Sequence, residues 1–559
     1  MNEQRRPRPL RRVLAACASL FAAFLVVELA ARAFTDPPSY LNNMPLDPDL
    51  GYGPPTDRSL MRRDTRGEYE YRTSSLGFRG PELPGPGRPS PAGTRRLMFL
   101  GDSFLEGWGV REESLMPFSS MRLLRERGIE VESYNVSAKG IGTGQELLLF
   151  RRHQADIEPD VVVVSLYPGN DVVDNTPELI GYTQISAGSY VRPFLVDDGG
   201  GGLRTTWRHP LRAALRARSH AFAVAEHALV ARGVKRGPEA DAAAFEERLA
   251  RLASGRLPRA SLELFLPPEP GGVWEAGWRR TEDLLRGFRR EVEAAGAHLV
   301  VVVIPHKYQV QIDALLAEID NELHEADQAP VATQLDWNLP ERRLVAFAER
   351  EGITLVPLLS ALRERTTGEA YSQYLRDGHM SWRGHEVAGE LVADAAWELL
   401  AGRTPPAPPA PAGVPVDLVE LQCRTRSWFD FADDLYPELL GGGWDHWAGR
   451  WGQGLAGWIM LRSGRVSVPH RGGELVVQGW LPAHAKLPQG VRVHVGGVDL
   501  GPLARIDSTG PFELRFPVPP PPGGDGPPVV LGLTASGAFA SPAKSAPRYG
   551  LVLTAIGYR

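Results

Sequence analysis

The chain has 559 residues, with 62 Lys and Arg against 67 Asp and Glu, a net charge of −5. That near balance lacks the basic excess that marks nucleic-acid binders, while 43% hydrophobic residues are enough for a packed core. Cys17 and Cys423 are its two cysteines and make neither a disulfide framework nor a zinc site.

A length of this order implies about two or three domains. Arg5, Arg6, Arg8, Arg11 and Arg12 precede an apolar run from Val13 to Val27. Glu28 interrupts the run, and Leu29-Ala30-Ala31 carries it on to about the 20 residues that a bilayer requires. The arginines predict an N-terminus inside and the remainder outside. The reading is a basic cytoplasmic tail over 1–12 and an uncleaved signal anchor over 13–33, leaving the rest extracytoplasmic. A cleaved signal peptide is the alternative, since Ala31-Arg32-Ala33 has the small-x-small form. Residues 34–94, rich in Pro, Gly and Asp, read as an extended lead-in over the next domain, with an edge strand at Glu68–Ser74.

From Arg95 the pattern alternates. Strands are predicted at Leu97–Leu100, Glu130–Asn135 and Val161–Leu166, with helices at Leu115–Arg127 and Gly144–Ala155 between them. This β-α-β-α-β order implies a parallel sheet with right-handed crossovers. Residues 172–270 interrupt it as an insertion that holds a basic, partly amphipathic helical stretch at Pro210–Gly233. That stretch reads as a solvated helix or a membrane-surface one. The alternation resumes with a helix at Trp274–Ala295, a strand at His298–Ile304, a helix at Pro340–Glu351, a strand at Ile353–Val356 and a last helix from Ser381 to Gly402. The Pro-rich stretch 403–415 is a stiff linker. Over 416–559 the period is that of short strands bounded by Gly and Pro, at Leu475–Trp480, Val491–Val495, Phe512–Phe516, Val529–Leu533 and Tyr549–Thr554. That reads as a β-sandwich.

Three successive strands end in polar residues at one sheet edge. Gly101-Asp102-Ser103 follows the first, Asn135-Val-Ser-Ala-Lys-Gly140 the second and Tyr167-Pro-Gly-Asn170-Asp171 the third; Asp377-Gly-His379 stands before the last helix. A serine nucleophile needs a base and a group to orient that base. It also needs donors aimed at the developing oxyanion. Ser103 can be the nucleophile, His379 the base and Asp377 the orienting carboxylate. The backbone N–H groups of Ser103 and Gly140, with the Asn170 side-chain amide, can form the oxyanion hole. Asp102 and Asp171 read as loop-fixing acceptors and His385 as a packing or helix-surface histidine. Trp108, beside Glu106, lines the pocket or packs. His306 and Lys307 contact substrate or are solvated. Trp444 and Trp447 stack on sugar or pack in a core.

Gly101-Asp-Ser-Phe, Gly140, Gly169-Asn-Asp and Asp377-Gly-His379 together resemble the four ordered blocks of the SGNH (GDSL-like) hydrolase family. The resemblance covers about residues 95–402. It implies a three-layer α/β/α, flavodoxin-like fold and ester hydrolysis or acyl transfer, with no metal or cofactor, by the five residues in the roles just given. The chain departs from the family pattern twice: Pro168 replaces the first Gly of the third block, and the last block is Asp-x-His where Asp-x-x-His is common. Asp-x-His also occurs in relatives that act on bacterial surface polysaccharides, O-acetyltransferases among them. The expectation is a membrane-anchored serine esterase or acyltransferase acting on O-acyl, above all O-acetyl, groups of an extracytoplasmic glycan. A transferase would also need a membrane partner as acyl donor. The alternative is a catalytically inactive surface protein that binds glycan through its C-terminal domain.

Overall fold

The structure is a computed structural model. It describes residues 9–35, 39–40, 44–64, 67–107, 109–179, 192–231, 263–310, 336–366, 378–409, 411, 428–431, 444–447, 458–460, 463–482, 485–495, 498–519, 526–537, 539–540, 548–549 and 551–558.

The first element, α1 (Pro9–Phe34), is a helix long and apolar enough to cross a membrane or to serve as a signal sequence. The central sheet has five parallel strands, β1 (Arg95–Gly101), β2 (Val131–Ser137), β3 (Val161–Leu166), β4 (His298–Val303) and β5 (Thr354–Pro357). Their spatial order is β5-β4-β3-β1-β2. Apolar runs form β1, β3 and β4 because both faces of the sheet are buried, whereas β2, at the edge of the sheet, reads VESYNVS. Met98, Leu100, Val162, Val164, Val301 and Val303 face one hydrophobic cluster. Leu97, Phe99, Val161, Val163, Val300 and Val302 face another. Each such side chain, fully removed from water, contributes about 1.5–3 kcal/mol.

The crossover helices supply the two faces. Helices α2 (Ser103–Glu106) and α3 (Met116–Glu126) lie on one face, with residues 359–365 and 382–400. On the other lie α4 (Thr143–Ile157) and the helices at 273–294 and 339–351. Strand order reverses between β1 and β3, and the crevice outside their carboxyl ends is where open α/β sheets bind ligands. Pairing in register fixes that edge: Gly101 lies opposite Ser137, Leu100 opposite Val164 and Leu166 opposite Val303.

The expected strands and helices of residues 95–402 form within a few residues of where the pattern puts them. The lead-in differs. Met44, Leu50, Tyr52 and Phe78 are buried in the larger core cluster, so the lead-in is built into the core at these points instead of draped over it. The strand expected at Glu68–Ser74 is Gly67–Arg72, paired in a hairpin with Ser59–Asp64 and not with the central sheet. The insertion adds a second hairpin, Pro193–Asp197 with Leu203–Trp207, which the pattern did not signal. Its helical stretch is two helices, Pro210–Arg218 and His220–Ala231, broken at Ser219.

From residue 428 on, the described strands are all antiparallel. One sheet of six strands and one of five bury a shared apolar cluster that includes Phe429, Val468, Val477, Val493, Phe516, Leu533 and Ile556. Four of the five expected strands form, within Gly473–Leu481, Gln489–Val495, Gly510–Val518 and Gly526–Ala535; of the fifth, Leu551–Thr554 lies in Leu551–Tyr558, whereas Tyr549 pairs with Phe539 in a separate short strand. Others form at Ser463–His470 and Ala504–Ile506.

A glycine at the end of β1 is required by space. A Cβ at Gly101 would lie 2.2 Å from Ser165 Oγ and 2.9 Å from Leu105 Cγ. Gly101→Ala should therefore overpack this junction and cost about 1–3 kcal/mol, read as a lower urea midpoint with an unchanged slope.

Candidate active site

The turn after β1 places Ser103 as the first residue of α2. The Asp102 carboxylate caps that helix by accepting from Phe104 N–H at 2.9 Å. First-turn N–H groups have no acceptor within their own helix, which leaves the Ser103 N–H available to a substrate oxygen. The last long helix, Trp382–Leu400, is capped by Ser381, and His379 sits just ahead of it. These two elements bring side chains 276 residues apart together: His379 Nε2 lies 2.8 Å from Ser103 Oγ. Both residues are half-buried. Asp377 lies outside the described residues, as does Trp108.

Asn170 is the third residue of α5 (Pro168–Asp174), which follows β3. Its Nδ2 donates to Asp102 Oδ2 at 2.7 Å, which ties the third strand's turn to the first. An amide nitrogen carries two hydrogens, so one remains for a ligand. Asp171 accepts from Tyr167 N–H at 2.7 Å and Thr143 N–H at 3.1 Å. Both aspartates thus hold loops, as their sequence position suggested.

Gly140 adopts φ +72°, which the loop after β2 requires and few residues other than Gly or Asn tolerate. Its carbonyl accepts from the Tyr52 hydroxyl and from Arg192 Nη2. Arg192 in turn donates to Tyr52 Oη at 2.7 Å and pairs with Asp174 at 2.9 Å, all of them buried. Holding the carbonyl fixes the plane of the peptide that joins Gly140 to Ile141, which anchors this loop. Tyr52 comes from the lead-in and Arg192 from the insertion, so neither was legible as part of a site. Arg79, also from the lead-in, is buried and donates to the carbonyls of Glu106, Gly107 and Val110 just after the nucleophile turn. Tyr71 donates to Glu106 Oε1 at 2.5 Å.

Burial governs the charges behind the turn. It raises the pKa of Asp102, Asp171 and Glu146, the last two strongly; Asp171 and Glu146 are pushed further by Asp102, and Asp102 by Asp174. Glu146, on the buried face of α4, has no hydrogen-bond partner at either oxygen among the described residues. Nothing in its sequence context, Glu146-Leu-Leu-Leu-Phe150, marks it.

A row of rings lines one side. Phe104 lies 5.0 Å from the His379 ring and 4.4 Å from Tyr167, and Tyr167 stacks on His306 at 5.9 Å. His306 is buried, and burial pulls its pKa down to about 3, so it is neutral and packed, not solvated. The Lys307 stem passes within 3.5 Å of where a Cβ would stand on Gly378, beside His379. His385 is buried and accepts from Met116 N–H at 3.3 Å, its pKa also pulled to about 3 by burial. It is a packing histidine. Trp444 and Trp447 lie in a strand whose backbone pairs with Trp458–Met460; their side chains are outside the described set. Among the described residues no cluster of three His, Cys, Asp or Glu side chains could hold a metal.

No family model matches the chain and no curated protein matches it. Solved structures that it resembles include a two-domain esterase active on acetylated mannans. That match has 12% identity and a TM-score of 0.25, and covers 83% of this chain and 91% of that one. An acetyl xylan esterase matches at 13% identity and TM-score 0.25, over 55% of this chain and 99% of its own. A psychrotrophic esterase from Pseudoalteromonas sp. matches at 10% and 0.25, over 55% and 99%. At such TM-scores these likenesses carry no argument about this chain.

Two outcomes follow from the buried network. Arg192→Met would leave Asp174 buried without its partner, at a cost of about 3–5 kcal/mol, measured by denaturant unfolding. His385 is held neutral in the fold, so the unfolded chain binds the extra proton and stability falls as pH drops from about 6.5 towards 3. His385→Asn keeps an acceptor for Met116 N–H but cannot protonate, so its unfolding midpoint should fall less than the parent's across that window. Buried carboxyl groups are common to both proteins, so the difference isolates His385.

Proposed function

We propose that this chain is a serine-dependent ester hydrolase or acyltransferase of the SGNH type, acting on O-acyl, above all O-acetyl, groups of an extracytoplasmic glycan. The observation that carries the reading is the 2.8 Å contact between Ser103 Oγ and His379 Nε2 at the carboxyl edge of the parallel sheet. The flavodoxin-like strand order and helices on both faces support an α/β/α scaffold of that kind. Ser103 Oγ attacks the acyl carbonyl while its proton passes to His379 Nε2. The tetrahedral oxyanion is met by the N–H groups of Ser103 and Gly140 and the free hydrogen of the Asn170 amide. Asp377 orients the imidazole through its other nitrogen. As the intermediate collapses, the C–O bond to the sugar breaks and His379 gives its proton to the departing oxygen. Water or a second sugar hydroxyl then attacks the acyl-enzyme and loses its proton to His379, which passes it to Ser103 Oγ as the acyl C–O bond to the serine breaks. From the acyl-enzyme onward the acceptor alone separates hydrolysis from transfer; in transfer the acyl group that loads Ser103 would come from a membrane partner, and the bond broken in the first half-reaction is the one to that donor. The N-terminal helix serves as an anchor with the catalytic domain outside, and the C-terminal β-domain, with Trp444 and Trp447, contacts the glycan.

p-Nitrophenyl acetate turnover tests the site. Ser103→Ala should lower kcat by at least about 10³-fold with unchanged circular dichroism; equal turnover by the variant would exclude Ser103 as nucleophile. The base must be neutral to act, so turnover should also fall as pH drops through the ordinary imidazole range near 6.5.

A further inference from the structure

Helix α1 carries a carboxylate that an apolar span does not need. Its described side chains are exposed or half-exposed except one: Glu28, at 8% exposure. Glu28 accepts from Arg32 Nε at 2.7 Å, Ser219 Oγ at 2.7 Å, His220 N–H at 2.8 Å and Ala221 N–H at 3.0 Å. Three of these donors belong to the start of the insertion's second helix, His220–Ala231. Two further contacts join the same ends: Thr35 Oγ1 with His220 Nε2 at 2.9 Å, and Arg32 Nη2 to Arg218 O at 3.4 Å. The insertion's two helices are clasped to each other by a buried pair, Arg216 with Glu226 at 2.5 Å, joined by Arg212.

The composition of the clasped unit fits lipid. His220–Ala231 reads HAFAVAEHALVA, twelve residues with Glu226 already neutralised. That is too short to span a bilayer and of the length found in interfacial segments. Its Leu229 is 57% exposed, and Leu211 of the preceding helix is 74% exposed. Arg208 and Arg218, on either side of Leu211 in the chain, are exposed, and arginine can keep its guanidinium among lipid headgroups. Glu28 lies six residues before Phe34, about 9 Å along the helix. The docked helix therefore begins at the depth of the span's last two turns. In a low-dielectric setting a carboxylate must be fully paired, and the four donors supply that.

We propose that Glu28 docks residues 210–231 onto the N-terminal helix to form a lipid-contacting seat, with His220–Ala231 lying in the outer interface of the bilayer. The catalytic domain is then held on the membrane at a fixed height and does not swing on a tether. The inference rests on the anchor reading of α1.

The test uses the full chain in nanodiscs of phosphatidylcholine and phosphatidylglycerol, in a Cys17→Ala, Cys423→Ala background. Single cysteines replace Leu20, Leu229 or the exposed Met61, each labelled with the fluorophore NBD and quenched by doxyl-phosphatidylcholine. Strong quenching at 20 and 229, with none at 61, is the expected result. Quenching at 20 with residue 229 as wet as residue 61 would overturn the seat and leave the span standing. A residue 229 probe that is dry yet unquenched by lipid would mean a protein contact and would also overturn it. Absence of quenching at 20 would remove the span and the seat together. Glu28→Leu should sharply lower quenching at 229 with p-nitrophenyl acetate turnover unchanged; undiminished quenching would overturn Glu28 as the docking group.

Discussion

Everything at the candidate site depends on β1 being paired on both edges and buried on both faces. A strand so enclosed cannot slip in register without moving its whole apolar set. Its carboxyl end is therefore fixed against β2 on one side and β3 on the other. The chain must then leave the sheet at Gly101, where neighbouring side chains leave no room for a Cβ. Ser103 is delivered to the crevice by this exit, and Asn170 arrives from the far side by the matching exit of β3.

The turns themselves are held by polar groups from outside the alternating strands and helices. Asp102 and Asn170 link two turns directly. The third, around Gly140, is held through its carbonyl by Tyr52 and Arg192, and the segment after the nucleophile by Arg79. The candidate site lies on loops, and buried donors from the lead-in and the insertion give them one conformation. That is the preorganisation an oxyanion site requires, since donors that must reorganise during the reaction lose their advantage.

The same logic of satisfied buried charge recurs at the other end of the chain. Glu28 in α1, Glu226 in the insertion and Asp174 behind the site each meet arginine or several N–H donors. An unpaired carboxylate in these places would be costly or protonated. In each case the partner lies in another element, so the pairing joins segments that hydrophobic contact alone would leave free to slide.

The sequence by itself determined the alternating strands and helices of the α/β region, because apolar runs and helical periodicity are local and the tertiary fold did not override them there. It also determined which residues could carry chemistry at the strand ends: the Gly-Asp-Ser turn, Gly140, Asn170 and His379 were legible as ordered motifs. The structure alone decided that Ser103 and His379 meet, since their contact spans 276 residues and no local pattern encodes it. It alone recruited Tyr52, Arg79, Arg192 and Glu146, because a buried polar residue looks like a surface one until the partner that encloses it is known. It also showed that His306 and His385 are buried and held neutral; a histidine's protonation follows from its surroundings, and those come from distant parts of the chain.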